Sequence, residues 1–310
     1  MAIEHSSVQV VRKPWGVADL RPWSDIDGSG DSIGELWFQR TDKTTPIPAL
    51  LLKLLFTSEP LSIQVHPDDA FARSIGLPNG KTEAWYILSA LPDARIALGL
   101  KRHLTPLELH TAIKDASIAG LTQWRSVVKG DVIFVPAGTI HAIGAVVVLA
   151  EIQQHSDATF RLYDYGRRRE LHEDNAVAVS DAGPVQAQCR ARRLTAERTA
   201  LIVSPHFVLE RIDLPANSNW GLKADRETWI LVIEGRARIG PTSATIGDVI
   251  FVEADHAPIE VGPDSMSALI AYPGPDPIIS LRGSGEQMTK SDATSAQRSP
   301  KSNEIVEAQT

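Results

Sequence analysis

Residues 130–135, Gly-Asp-Val-Ile-Phe-Val, recur unchanged at 247–252, 117 residues further along the chain. A Gly-Asp turn that leads into an apolar, β-branched run is typical of a strand entering a protein core. A second similarity precedes each copy, because Thr-Glu-Ala-Trp at 82–85 resembles Glu-Thr-Trp at 227–229. Two similarities in the same order predict a duplicated β-domain.

The two copies differ directly after the repeated hexapeptide. The first continues as Pro-Ala-Gly-Thr-Ile-His and places His141 eleven residues after Gly130. The second has Pro258 at the matching position. The first copy is therefore predicted to carry the chemistry, and the second to be a structural copy.

Most of the remaining chain also has the pattern of short strands. Apolar, β-branched runs are separated by Gly, Pro, Asn and Asp, which is typical of a sandwich or barrel. The predicted strands are 49–56, 61–65, 84–88, 132–135, 145–152, 229–233 and 249–252.

Two helices are predicted among these strands. Thr-Pro-Leu-Glu at 105–108 combines an N-cap residue, proline at the first helical position and a glutamate three residues after the cap. This helix should run to about Ile118 and stop near Gly120. A second, shorter helix should follow Pro67 and end at Gly76.

These patterns divide the chain into three parts. Residues 1–190 are predicted to form the first β-domain, with a helical insertion at about 104–120, and residues 191–282 the second. The stretch 283–310 is rich in Ser, Thr, Gln, Lys and Glu. Such a composition buries too little apolar surface to become ordered, so a disordered tail is predicted.

Composition limits the function classes. The 310 residues are 43% hydrophobic and 22% charged, with a net charge of −7. A nucleic-acid partner is not expected, since such proteins carry basic surfaces. No apolar run reaches the length of a membrane span, so no membrane partner is expected either. The single cysteine, Cys189, excludes an internal disulfide and favours a cytoplasmic location.

Polar side chains gather in the first copy. Gln64 and His66 are two residues apart in a predicted strand and so share a face, as do Lys81 and Glu83. His141 follows the Pro-Ala-Gly turn. Two imidazoles, one carboxylate and one amide from three strands suit a divalent transition metal such as zinc.

The segment 151–165 contains Arg161, for which two interpretations are open. Arg161 is either an edge-strand residue that pairs with Asp157 or Asp164 at the surface, or a side chain that points into the metal cleft. In the cleft, its guanidinium could hold a developing oxyanion or an anionic substrate.

Six motifs together resemble a known enzyme family. They are KPWG at 13–16, IGELW at 33–37, QVHPDD at 64–69, GKTEAWYIL at 80–88, VPAGTIHAI at 135–143 and EIQQHSDATFRLYDYGR at 151–167. In this order they resemble the short bacterial form of type I mannose-6-phosphate isomerase, in the cupin superfamily. The similarity spans roughly residues 11–275.

The resemblance implies two cupin domains of jelly-roll β-barrel type, the second degenerate and without metal. It implies one zinc ion per chain, held by Gln64, His66, Glu83 and His141. It also implies a catalytic arginine at Arg161 and an active-site lysine at Lys81. The sequence departs from the family at Tyr165, where relatives often have Trp, and at His155, where many have Asn or Ser.

The implied reaction interconverts mannose 6-phosphate and fructose 6-phosphate by proton transfer through an enediol intermediate. Lys81 would move protons to oxygen or orient the substrate; alternatively it contacts the phosphate or pairs with Glu83. The group that removes the carbon-bound proton is not identified. Phosphate ligands are also unassigned, because the run Arg167–Arg169 fits a solvated surface equally well.

Two other functions stay open on the sequence. Two histidines and a carboxylate also serve cupin oxygenases with non-haem iron, although a fourth ligand at Gln64 leaves fewer positions for dioxygen. A non-catalytic bicupin that binds sugar phosphates is the other alternative. The expected partner is a phosphosugar substrate, and the expected assembly is a monomer or a weak homodimer.

Overall fold

The computed structural model describes residues 2–28, 31–185 and 188–283, which form a mainly β protein with four antiparallel sheets. The six-stranded sheet contains, in spatial order, Ser7–Val17, Ile33–Gln39, Leu50–Phe56, Val147–Gln154, Glu83–Ala90 and Val132–Val135. The first five-stranded sheet contains Phe160–Tyr163, Ile63–Val65, His141–Ile143, Arg95–Leu100 and Thr122–Ser126. All the predicted strands are present, with ends shifted by a few residues.

The other two sheets come mainly from the second half of the chain. The seven-stranded sheet contains Ala2–His5, Val249–Glu253, Thr228–Glu234, Met266–Pro273, Phe207–Leu214, Arg198–Val203 and Arg192–Arg193. The second five-stranded sheet contains Thr242–Thr245, Arg236–Ile239, Asp255–Val261, Asn219–Ala224 and Ser280–Gly283.

Four short helices are present in the described residues: Asp69–Ser74, Pro106–Lys114, Ile118–Leu121 and Glu173–Val179. The predicted capping box is confirmed, because Thr105 and Glu108 each bond the other's backbone N–H. The prediction of one helix to about Ile118 is wrong. The helix ends at Lys114 because Ala116 takes a left-handed backbone conformation, with φ of 63°, which a right-handed helix cannot contain.

The six-stranded and seven-stranded sheets pack face to face and give the two halves of the chain a common core. Even-numbered residues of Leu50–Phe56 enter this core and meet side chains such as Phe207 and Trp229. Leu55 points the opposite way, into a second apolar layer beneath the first five-stranded sheet. A strand buried on both faces must be apolar almost throughout, which explains the sequence Leu-Leu-Leu-Lys-Leu-Leu-Phe.

Each half also closes on a five-stranded sheet of its own. In the first half, Trp85 and Leu149 of the six-stranded sheet pack against Ile96 of the first five-stranded sheet. The helices Pro106–Lys114 and Glu173–Val179 cover the outer face of that five-stranded sheet. The interior of the first half therefore lies between two sheets, and this is where the polar side chains of the site enter.

Strand pairing gives the register of the internal repeat. In the repeated hexapeptides, Ile133 pairs with Trp85, whereas its counterpart Ile250 pairs with Ile230. The Glu-x-Trp similarity is therefore displaced by one residue, and a one-residue displacement turns a side chain to the other face of the sheet. Trp85 points into its own half, and Trp229 points into the common core.

The first strand crosses between the halves. Ala2–His5 pairs with Val249–Glu253 at the edge of the seven-stranded sheet. Arg40 stabilises the crossing through ion pairs with Glu4 and Glu253. The boundary predicted at residue 190 assigns Ala2–His5 to the first half, although this strand pairs with a strand of the second half.

The tail predicted at 283–310 lies outside the described residues, apart from Gly283, which ends the last strand. Among the helices of the described ranges, none is long and apolar enough to cross a membrane.

The common core predicts that the halves unfold together. Phe207 has no exposed surface and packs edge to face on Phe134 of the six-stranded sheet, with ring centroids 6.4 Å apart. Phe207→Ala should lower the free energy of unfolding by about 3–5 kcal/mol. Urea unfolding followed by tryptophan fluorescence and circular dichroism should show one shifted transition. The half-exposed Val203→Ala is the control and should change little; two transitions of which only one moves would contradict a common core.

Candidate metal centre and its cleft

Three neighbouring strands bring the predicted site residues side by side. In the first five-stranded sheet, Gln64 pairs with His141 on one side and with Arg161 on the other. His66 follows the end of the same short strand as Gln64. Glu83 begins a strand of the facing six-stranded sheet. The site is thus assembled from both sheets of the first half.

Two imidazoles and one carboxylate meet at a buried point. His66, Glu83 and His141 each offer a ligand atom, and these atoms all lie within 4.8 Å of one another. The Nε2 atom of His66 lies 3.4 Å from Glu83 Oε2, and the Nε2 atom of His141 lies 3.4 Å from Glu83 Oε1. None of the three side chains is more than 1% exposed.

Backbone carbonyls fix the orientation of both imidazoles. The Nδ1 atom of His66 lies 2.7 Å from the Ala158 carbonyl oxygen, and that of His141 lies 2.8 Å from the Thr139 carbonyl oxygen. Only an Nδ1–H can donate to a carbonyl, so the Nε2 lone pair of each ring faces Glu83. Burial and the Lys81 ammonium lower the pKa of His66 to about 3, and burial also lowers the pKa of His141. Both rings are therefore neutral, as metal binding requires.

The turn before His141 connects the two imidazoles. Gly138 has a φ of 86°, a conformation that favours glycine, and its N–H donates to the His66 carbonyl oxygen at 2.8 Å. The Pro-Ala-Gly sequence therefore places the strand of His141 directly beside the strand of His66.

Lys81 compensates the charge of Glu83. Its Nζ lies 3.0 Å from Glu83 Oε2 and 3.1 Å from His66 Nε2. Burial alone would raise the pKa of Glu83, but the nearby Lys81 ammonium holds that pKa well below its usual value. Burial alone would lower the pKa of Lys81, but the carboxylates of Glu83 and Glu151 raise it. Both groups are therefore ionised at neutral pH.

The donor set fits a divalent metal. The lone pairs of two neutral imidazoles face the oxygens of a buried carboxylate, a set of acceptors that the Lys81 ammonium, 3.0 Å from Oε2, satisfies only in part. Gln64 lies beside them, with its amide nitrogen 3.3 Å from His141 Nε2 and its Oε1 accepting from the Ser62 hydroxyl. A half-turn of this amide would present Oε1 to the same point. The residues could therefore hold one metal ion with nitrogen and oxygen ligands.

A polar cleft of about 280 Å³ opens beside this point and is lined by Gln64, Lys81 and Arg161. The Arg161 guanidinium makes no ion pair among the described residues, and its buried Nε has no hydrogen-bond partner. Asp164, its predicted surface partner, pairs with Arg167 and Arg169 instead. The geometry therefore matches the interpretation in which Arg161 points into the cleft.

The arginines of the run Arg167–Arg169 differ in their position relative to the cleft. Arg169 lines the cleft and makes a bidentate bond to the buried Asp164, at 2.7 and 2.6 Å. Arg167 donates to the Pro60 carbonyl and pairs with Asp164. Arg167 is thus held by the protein backbone, and only Arg169 reaches the cleft surface.

Three buried charged residues of the cleft were not predicted: Glu35, Lys53 and Glu151. Lys53 lies 3.4 Å from Glu151 and 3.9 Å from Glu35, and all three are buried. The sequence contains a signal that could have identified two of these residues. Lys53 and Glu151 are isolated charges inside the apolar strands Leu50–Phe56 and Val147–Gln154, where a charge needs a buried partner.

Comparison with known proteins is consistent with this arrangement. The mannose-6-phosphate isomerase ManA of Bacillus subtilis is 35% identical over 225 residues, which cover 68% of this chain and 70% of that protein. The crystal structure of the mannose 6-phosphate isomerase from Bacillus subtilis superposes with a TM-score of 0.76 at 25% identity, covering 88% of this chain and 100% of that one. A structure of mannose 6-phosphate isomerase bound with zinc and yttrium has the same fold, with a TM-score of 0.69 at 15% identity and coverage of 88% and 100%. No protein-family model matches the chain.

The buried imidazole of His66 predicts a pH dependence of the metal-free protein. Between the ordinary histidine pKa of about 6.5 and the folded value of about 3, the unfolded chain binds a proton that the folded chain does not. The free energy of unfolding should therefore fall as the pH drops below about 6.5, by up to about 1.4 kcal/mol per pH unit for this group. Urea unfolding of chelator-treated protein at several pH values measures this loss. His66→Gln should show a smaller loss; parallel curves would mean that folded His66 takes up the proton.

Proposed function

Because the chain belongs to the mannose-6-phosphate isomerase family, we propose that its cleft interconverts mannose 6-phosphate and fructose 6-phosphate. The observation that carries this proposal is the convergence of His66, Glu83 and His141 beside a cleft lined by Lys81 and Arg161. An aldose and its ketose differ in the positions of two hydrogens, because one moves from C2 to C1 and the other from O2 to O1. The site must therefore move protons while it stabilises charge on the neighbouring oxygens.

We propose that one zinc ion is held by Gln64, His66, Glu83 and His141. Two imidazoles with oxygen ligands suit zinc, and the convergence of their lone pairs with the Glu83 carboxylate at one buried point supports a cation there beside Lys81. A bound zinc would supply Lewis-acid chemistry, polarising the substrate oxygens. The Nδ1 bonds to Ala158 and Thr139 keep both imidazoles in the ligating tautomer.

Arg161 is proposed to stabilise negative charge that develops on a substrate oxygen. Its guanidinium has no protein carboxylate to neutralise it among the described residues, so its donors are available to the substrate. Burial and the neighbouring Arg169 lower the pKa of Arg161, yet an arginine stays protonated at neutral pH. Such a fixed donor acts most strongly where charge appears in the transition state.

Lys81 is proposed to orient the substrate by donating hydrogen bonds. Its raised pKa keeps the ammonium charged, so it does not accept a proton in the ground state. One side of the ammonium contacts Glu83 and His66, and the residue also lines the cleft. Pairing with Glu83, one of the alternatives considered for Lys81, is therefore compatible with contact to the substrate.

Glu151 is proposed to take the proton from C2 of the aldose and return it to C1. It is the buried cleft carboxyl outside the metal set whose pKa is raised, chiefly by burial and then by the charge of Glu83. A raised pKa brings a carboxylate closer to the strength that a general base needs. Loss of the C2 proton leaves an enediolate, the charged form of the enediol, and its hydroxyl proton passes from O2 to O1 before Glu151 returns the first proton to C1.

We propose that the two halves are cupin domains of the jelly-roll type and that only the first binds metal. The register supports this, because Glu83, Trp85 and Glu151 correspond to Thr228, Ile230 and Ile270 in the second half. No polar ligand set is present at these second-half positions.

All the proposed site residues come from one chain, which is compatible with a monomer or a weak homodimer. The cytoplasmic location stays a prediction from the single cysteine. The two alternative functions, an iron oxygenase and a non-catalytic binding protein, are less well supported, because a relative that is 35% identical over 68% of this chain carries the name of an isomerase.

The metal assignment is tested with matched histidines. His141→Ala should remove bound zinc, because it deletes one of two imidazoles, whereas His256→Ala should retain about one zinc per chain. His256 lies on the strand Asp255–Val261 of the second half. Metal content of the purified proteins gives the answer. Full zinc in the His141 variant would show that the ligands are assigned wrongly.

The function is tested by a coupled assay of mannose 6-phosphate conversion, and Arg161 by its variants. Arg161→Ala should lower kcat by about 10²–10³-fold with zinc retained, as when one oxyanion donor is lost. Arg161→Lys should restore part of the rate, because an ammonium lacks the planar fork. A rise in KM alone would instead make Arg161 a uniform substrate-binding group. Wild-type protein loaded with zinc but inactive on this substrate would exclude the proposed function.

A further inference from the structure

We propose that Trp85 is a positioning residue whose single indole N–H is shared by the carboxylates of Glu83 and Glu151. Its role would be to hold the Glu83 carboxylate in one orientation toward the metal and to fix the position of the proton-accepting carboxylate of Glu151. This inference rests on the proposed function, since it deepens the account of the same site.

The geometry of Trp85 is that of a bridge. Its Nε1 lies 3.0 Å from Glu83 Oε1 and 3.2 Å from Glu151 Oε2. The indole has no exposed surface, so water cannot replace either bond. Its ring also packs edge to face on the imidazole of His141, with centroids 5.5 Å apart. One side chain therefore contacts two proposed metal ligands and the proposed base.

For Glu83, the bridge makes the two carboxylate oxygens different. Oε1 accepts the indole N–H at 3.0 Å, whereas Oε2 faces the Lys81 ammonium, also at 3.0 Å. The two contacts hold the carboxylate from both ends. The bridge thus opposes rotation of the carboxylate into a different binding mode.

For Glu151, the bridge supplies one of two fixed contacts. Oε2 accepts from Trp85, and Oε1 lies 3.4 Å from the Lys53 ammonium. Two buried carboxylates that share one donor would repel each other strongly if that donor were absent. The indole N–H therefore lowers the free-energy cost of holding the carboxylates of Glu83 and Glu151 close together.

The second half provides a matched comparison. Trp229 donates its indole N–H to Glu227 Oε1 at 2.9 Å, and its side chain is as buried as that of Trp85. Glu227 also accepts the backbone N–H groups of Ala49 and Leu50, at 2.6 and 2.9 Å. Trp229 thus makes the same type of bond in the common core, away from the cleft.

The experiment compares Trp85→Phe with Trp229→Phe. Both variants lose one buried indole N–H and similar volume, so both should lose stability to a comparable extent. Zn²⁺ affinity is measured first, by competition with a chromophoric chelator on protein without substrate. Trp85→Phe should bind Zn²⁺ about 10–100-fold more weakly, the range expected when a contact to a metal ligand is removed. Trp229→Phe should stay within about twofold of the unaltered protein.

Kinetics with saturating zinc give the second readout. Trp85→Phe should lower kcat about tenfold or more while KM changes little, because orientation of Glu151 matters in the transition state rather than in binding. If Trp85→Phe folds poorly, benzothienylalanine at position 85 keeps the ring shape, removes the N–H and should reproduce both defects. Unchanged zinc affinity and kcat in either variant at position 85, or equal losses in Trp229→Phe, would overturn the proposal. Because Zn²⁺ affinity is measured without substrate, that result stands apart from any failure of the proposed isomerase activity.

Discussion

A carboxylate without exposed surface, Glu83, is the constraint on which the first half of this protein depends. Moving an ion of this kind out of water costs several kcal/mol, and the Lys81 ammonium must offset that cost at close range, while two neutral imidazoles present only lone pairs to the carboxylate. Lys81 stands two residues earlier on the same chain segment, whereas the imidazoles come from the facing sheet. Both sheets must therefore meet at the right separation for Glu83 to be tolerated, and a cation bound there would complete the compensation.

The same strand pattern is used differently in the two halves. Both contain the hexapeptide Gly-Asp-Val-Ile-Phe-Val paired with a strand that carries a Glu-x-Trp sequence. Relative to the hexapeptide, the Glu-x-Trp sequence of the second half is displaced by one residue from that of the first half. In the first half this places Glu83 and Trp85 inside the sandwich. In the second, Trp229 faces the common core, and apolar Ile230 faces inward instead. One residue of register thus distinguishes a polar site from a packed interior.

Much of the fold can be predicted from the sequence. Strand positions follow from short β-branched runs. The two-residue spacing groups Gln64 with His66 and Lys81 with Glu83, whereas His141 is proposed from the turn before it and Arg161 from its segment. The sequence alone does not predict a local backbone conformation or the pairing of distant strands. The end of the helix at Lys114 depends on the backbone of Ala116, and the displaced register depends on which residue faces Ile133. Lys53 and Glu151 needed the sheet pairing that brings them within 3.4 Å of each other.

The crossing of the first strand has a consequence for the order in which the molecule is made. Ala2 pairs with Glu253, so this strand can pair only after some 250 further residues have been added to the chain. The strands of the two sheets that build the cleft lie within residues 7–163, but the six-stranded sheet also packs on the second half, through side chains such as Phe207 and Trp229. Neither the pairing of Ala2–His5 nor the common core is therefore complete until the second half has been made. That pairing joins segments that are synthesised far apart in time.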